Sequence, residues 1–263
     1  MLRSARTPEA VEAAIGLLSP DEPELRATAL AHYERLAAGP MRNDPGAQVR
    51  AALLRALRPV ALPEDVGMLE RATAVHEYLP PGPQEVAGVL RAAALVTLAH
   101  LDERVAGFHA ARLIADPDPL TPSMSGEPAL TAVRVLAAQD QLTVLYGWLA
   151  SAGPKPPEPV AEALRAMSVA PSSIVLDLVE RMGGSRDEVL LMGLFDLLLA
   201  TPEADRFEGF MLEFLRDTEL RDLFGAIAAT IIAARRERLI QGLREIRGAL
   251  TPEKAQVLDE LLA

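Results

Sequence analysis

Val86-Ala-Gly-Val-Leu-Arg-Ala-Ala-Ala-Leu-Val-Thr-Leu98 carries only two polar side chains, Arg91 and Thr97. Its alanines and leucines enter a helix at little cost, so the stretch reads as helical. A helix with so little polar face has to be covered on most sides. Val189 to Leu199, with Asp196 as its one polar side chain, has the same character. Inside the first stretch stands a short phrase, Leu90-Arg91-x-x-Ala94. It recurs as Leu25-Arg26-x-x-Ala29, Val133-Arg134-x-x-Ala137 and Leu164-Arg165-x-x-Ser168, with looser copies at Val49-Arg50 and Leu220-Arg221. A phrase repeated at intervals of tens of residues signals an array of helical units, each burying its apolar face only against its neighbours.

Composition agrees. Half of the 263 residues are hydrophobic but only 4% are aromatic, so the apolar mass is mostly Leu, Ala and Val. The formal net charge of −11 repels phosphates and argues against nucleic acid as a partner. There is no cysteine, which excludes disulfides, thiolate metal sites and cysteine nucleophiles and fits a reducing compartment. Met1 to Ala10 lacks the apolar core of a signal peptide, and the longest strongly apolar run, Leu223 to Ala234, is too short to span a bilayer. A cytoplasmic location is the resulting expectation.

Start and stop signals divide the chain into roughly fifteen helices. Thr7-Pro8 opens the first, and Ser19-Pro-Asp-Glu22 reads as a capping box for the second. The later segments begin near Pro45, Pro63, Glu85, Asp102, Glu127, Asp140, Pro157, Pro171, Arg186, Pro202, Glu219, Arg235 and Pro252. The connections alternate in length. Ala38–Asp44, His76–Gln84, Asp116–Gly126 and Ala152–Pro156 are long and proline-rich, and in a stack of helix pairs they collect on one edge.

The segment Asp44-Pro45-Gly46-Ala47-Gln48-Val49-Arg50-Ala51-Ala52 resembles a HEAT-type repeat, where an aspartate precedes a Val-Arg pair by about five residues. Asp21 through Arg26 is a compressed version, and the other copies keep the hydrophobe-Arg pair without a clean aspartate. The spacing drifts from roughly 42 residues to roughly 30, and one expected arginine falls on Met192 or Gly193. The resemblance implies an all-α fold: a right-handed α-solenoid of about seven antiparallel helix pairs. It covers residues 1–263 as a single domain, with residues 235–263 as capping helices.

The repeated arginines allow two readings. Arg91, Arg134 and Arg165, extended by Arg50 or Arg55, could form a basic stripe along a concave surface and hold carboxylates or phosphates. Alternatively each ties to an acid or carbonyl of the next repeat, the ladder that the HEAT resemblance favours. Glu188, Met192 and Asp196 share a helix face at intervals of four residues, and Asp222 is a candidate to continue the row on the next inner helix. Trp148, flanking the stripe Leu142, Leu145, Tyr146 and Leu149, is either an anchor for a partner or packing for the loop Gly153–Pro159. Tyr78 lies in a long loop and is a candidate contact on that edge. His32, His76, His100 and His109 lack the two-histidine spacing of a zinc hydrolase and read as surface or half-buried residues. Arg235-Arg-Glu-Arg238 is locally basic, and Val257, Leu258, Leu261 and Leu262 can cap the end of the core.

No phosphate-binding loop and no Gly-x-Ser-x-Gly elbow occurs. The expected function is therefore a non-catalytic scaffold, without cofactor or metal, that binds another protein through its groove and long-loop edge. The alternative is an enzyme on a HEAT-like scaffold, such as a relative of DNA alkylation-repair glycosylases or bilin lyases. A subunit acting only within an assembly is a third option.

Overall fold

The structure, a computed structural model, describes residues 1–15, 23–79, 84–115 and 126–263. Among them are fifteen α-helices, so the protein is all-α. In chain order they are α1 (Pro8–Ile15), α2 (Pro23–Ala37), α3 (Gln48–Leu57), α4 (Val66–Ala72), α5 (Gly88–Leu101), α6 (Glu103–Ile114), α7 (Ala129–Ala138) and α8 (Leu142–Ala150). There follow α9 (Pro157–Ala166), α10 (Ser172–Met182), α11 (Glu188–Ala200), α12 (Glu208–Asp217), α13 (Arg221–Ala233), α14 (Glu237–Ile246) and α15 (Pro252–Leu262).

Several starts follow from local chemistry. The first N–H groups of a helix lack internal acceptors, and short polar side chains supply them. Thr7 Oγ1 accepts from Ala10 N at 3.2 Å, Asp102 Oδ1 from Val105 N at 2.9 Å and Asp187 Oδ1 from Leu190 N at 3.0 Å. Thr251 plays this part at α15, which opens on Pro252. The expected capping box at residues 19–22 lies outside the described residues, as do residues 80–83 and 116–125 of the long loops.

The chain divides into two compact units, residues 1–148 and 149–263. In the first, α1 packs on α3, α3 on α5 and α5 on α7, while α2, α4 and α6 flank this row. Leu53, Leu54, Leu57, Leu90, Leu95 and Leu98 are fully buried between these helices. Each such leucine contributes about 1.5–3 kcal/mol through loss of apolar surface to water. In the second unit α9 packs on α11, α11 on α13 and α13 on α15, with α10 against α11 and α12 against α14. Phe195 anchors this core, its ring 5.0 Å from Phe214 and 6.3 Å from Phe210.

Gly193 fixes the approach of α9 to α11. A Cβ there would lie 2.4 Å from Ala161 Cα and 2.6 Å from Ala161 Cβ. No side chain fits at that crossing, so of the two positions expected for the repeated arginine, Met192 and Gly193, the second has no room for one.

Two expectations change. The segment read as a helix from Glu85 starts as a helix only at Gly88. Before it, Tyr78–Leu79 and Gln84–Glu85 form a short antiparallel pair, β1 and β2, with Tyr78 opposite Glu85. His32, expected near the surface, is buried at 2% exposure, whereas His76 and His100 are exposed and His109 is half-buried.

Candidate functional site

The HEAT-like segment is a structural device in this chain. Asp44 reaches over a turn in which Gly46 and Ala47 both take left-handed φ, +68° and +54°. Its two carboxylate oxygens accept Val49 N at 2.8 Å and Arg50 N at 3.1 Å, closing the start of α3. Arg50 Nε donates back to Asp44 at 2.9 Å, and Arg50 Nη2 pairs with Glu77. A related tie recurs at α5 with glutamate in place of aspartate, its carboxylate bonding the amide just before the helix rather than amides within it. Glu85 Oε1 accepts Ala87 N at 2.7 Å, and Glu85 Oε2 accepts from Arg91 at 2.8 Å. In both copies the acid precedes its arginine by six residues. The longer side chain concealed this copy from a reading that sought aspartate.

Arg91, read as either a groove contact or a ladder arginine, is buried at 3% exposure and also donates to Val75 O at 2.9 Å. It presents no guanidinium surface to a partner. Thr97, the other polar group of that helix, donates to Leu54 O and Ala93 O. Arg26 of α2 forks onto Asp65 and Glu64, 39 and 38 residues further on. The Arg26 fork stays partly open, whereas the buried Arg50 and Arg91 ties hold register, because removing one partner strands a desolvated charge.

A hydroxyl–imidazole–carboxylate row also occurs. Thr73 Oγ1 is 3.0 Å from His109 Nδ1, and His109 Nε2 is 3.1 Å from Glu70 Oε1. Such a row can activate a nucleophile when the hydroxyl is accessible. Here Thr73 is 0% exposed, its hydroxyl donates to Glu70 O at 2.8 Å, and Arg112 Nη2 donates to it at 2.9 Å. No carbonyl can reach that oxygen, so the row ties α4 to α6.

The remaining candidates stand on surfaces. In the first unit Arg55 and Arg134 are exposed, Tyr78 is 49% exposed on β1, and Trp148 is half-buried at its end. In the second unit Arg165 of α9 bonds Asp196 of α11, Nε to Oδ2 at 2.7 Å, and Glu162 at 3.3 Å. These side chains stay partly open, 44% for Arg165 and 30% for Asp196. Glu188 and Val189 are exposed at the start of α11, and Arg221 and Asp222 at the start of α13. The structure thus brings Arg165 and Asp196 together and places Arg91 in the core of the other unit.

No family model, curated protein or solved structure matches this chain. Among the described residues no helix is long and apolar enough to cross a membrane, and no three histidine, aspartate or glutamate side chains gather as a metal site.

Lys254 is a functional-looking residue that sequence reasoning passed over. It is 4% exposed, and its ammonium donates to Leu215 O, Arg216 O and Thr218 O at 2.7–3.0 Å. Burial pushes this lysine down from its ordinary value, with Asp217 opposing. The three carbonyls close the C-terminus of α12, where a cation is favoured by the helix dipole. Phe224 supplies a ring face 5.3 Å from the ammonium. A cavity of about 300 Å³ opens between Ala204, Asp205, Glu208 and residues 235–239. Arg238 spans it, pairing with Asp205 at 2.9 Å and Glu208 at 3.4 Å, while Arg236 of the same basic run donates to Leu199 O.

Proposed function

We propose that the chain is a non-catalytic scaffold whose units are HEAT-like, right-handed stacks of helix pairs, about seven pairs in all, and that it binds another protein. The reading is supported by the packing of alternate helices, α3 on α5 on α7 and α9 on α11 on α13. The observation that carries it is the Arg165–Asp196 pair. It joins two stacked helices yet stays partly open to solvent. An exposed pair contributes only about 0–1 kcal/mol, so its charges can be redirected to a partner without loss of the fold. The Arg50 and Arg91 pairs are buried and cannot be exchanged in this way. Glu188, Val189 and Asp222 extend the open α9–α11–α13 face.

The test is quantitative affinity purification from the native cell, with wild type and two reversals compared by mass spectrometry. Arg165→Glu together with Asp196→Lys should deplete a defined set of partners. Glu203→Lys, a reversal of an exposed residue off this face, should leave the set unchanged. Equal capture by all three proteins would refute the α9–α11 face as the binding surface.

A further inference from the structure

His32 is a buried titratable group that neither the arginine ties nor the open face uses. It lies on α2, 2% exposed, beneath the N-terminal 3-10 turn Leu2–Ser4. Its Nδ1 is 2.5 Å from Leu2 O, a carbonyl that can only accept, so Nδ1 carries the proton. Nε2 is then the lone-pair nitrogen of a neutral ring, and it is buried with no hydrogen-bond partner among the described residues. Leu2 and Ala5 are themselves buried, at 4% and 6%.

A second proton has nowhere to go in this arrangement. It would convert Nε2 into a buried N–H without an acceptor and place a charge in an apolar pocket, both costly. The charged neighbours do not change the outcome. Arg35, one turn along α2, opposes a second positive charge, and its guanidinium donates to Arg3 O. Asp44, ahead of α3, favours the charge, but its carboxylate is already engaged by Arg50. Arg3 on the turn, Glu9 and Glu12 on α1 and Arg55 on α3 are all exposed to solvent.

We propose that His32 latches the N-terminal turn, residues 1–5, onto α2 at neutral pH and releases it in mild acid. Protonation is accommodated when the turn lifts and water reaches Nε2. Leu2 O loses its donor, and the apolar flank that Leu2 and Ala5 cover is uncovered. Burial, the largest influence, pushes the ring below the ordinary histidine value. The stabilisation is therefore complete above the histidine range and is lost as pH falls through it.

Hydrogen exchange corrected for intrinsic rates tests this at the amides of Ser4 and Ala5, which donate to Met1 O and Leu2 O. Between about pH 7.5 and about pH 5 their protection should fall by up to about tenfold per pH unit once the ring titrates. Amides within α5 should show no such change. His32→Asn retains a donor for Leu2 O but does not titrate, and should abolish the pH dependence. Wild-type protection that holds within about twofold over that interval would overturn the proposal, as would the same loss in His32→Asn. If His32→Asn fails to seat the turn at either pH, nitrogen-15 spectra of the wild-type ring decide. Proton uptake at Nε2 must coincide with the loss of protection, and uptake with the turn still protected sinks the latch.

Discussion

Replacing Gly193 with alanine tests the close crossing of α9 and α11 most directly. The added methyl would sit 2.4 Å from Ala161 Cα, 2.6 Å from Ala161 Cβ and 2.8 Å from Ala161 O. Carbon atoms in contact prefer about 3.5–4.0 Å, so the helices must part by about 1 Å or tilt. The clash is with backbone and a methyl stub, neither of which can rotate aside. Overpacking of this kind costs about 1–3 kcal/mol. Against it stands a gain of up to about 1 kcal/mol, because alanine is the better helix former. A clash this close to backbone sits at the upper end of that range, so the expected net loss is about 2 kcal/mol in urea unfolding followed by circular dichroism. Exchange should accelerate at α9 and α11 amides. The control is Gly209→Ala on α12, where nothing lies within 4 Å of the new methyl. There only the propensity gain applies, and stability should be unchanged or slightly raised. The two substitutions thus differ in sign. If Gly193→Ala were as stable as wild type, the described proximity of α9 and α11 would be wrong.

Three further outcomes follow from the polar ties. Arg50→Met should cost about 3–5 kcal/mol in thermal or urea unfolding, because Asp44 and Glu77 are left as buried carboxylates without their guanidinium. Lys254→Met should cost about 2–3 kcal/mol and raise exchange at the end of α12, since three carbonyls lose a charged donor at once. Arg165→Ala should cost no more than about 1 kcal/mol in the same unfolding assay. A larger loss there would make the Arg165–Asp196 pair a structural tie and remove it from the proposed binding face.

Much of the helical layout was legible because its determinants are local. Thr7 before Pro8, Asp102 and Thr251 before Pro252 are short-range signals, and each marks a real helix start. The near-continuous apolar character of α5 and α11 foretold burial on most sides, and both are buried along most of their length. What stayed hidden depends on contacts between residues distant in sequence. The β1–β2 pair looked like helix and proline-rich loop, and it is held in place by Glu77 on Arg50 and Glu85 on Arg91. Lys254 looked like an ordinary lysine of an end helix, since its acceptors lie 36 to 39 residues away. Of the arginine row, the sequence supplied the members but not their burial, so it could not separate Arg91 from Arg165.

That separation sets where recognition can reside. An arginine placed six residues after an acid at a helix start folds back on that acid and is consumed, as at Arg50 and Arg91. Arg165 has no acid at that offset: position 159 is Pro159, buried in the first turn of α9. Its guanidinium therefore extends sideways to Asp196, 31 residues on, and remains partly open. The same repeated phrase thus produces a core tie where the arginine stands in the first turn of its helix behind a carboxylate, and an open cross-helix pair where it stands near the helix end. Removing the upstream acid with Glu85→Ala should accordingly release Arg91, whose other partner is the Val75 carbonyl, and leave Arg165 as it is. Nitrogen-15 relaxation at the Arg91 Nε would then show a more mobile side chain, with the Arg165 Nε unchanged. An equally rigid Arg91 in Glu85→Ala would show that helix packing, not the upstream acid, decides where this arginine points.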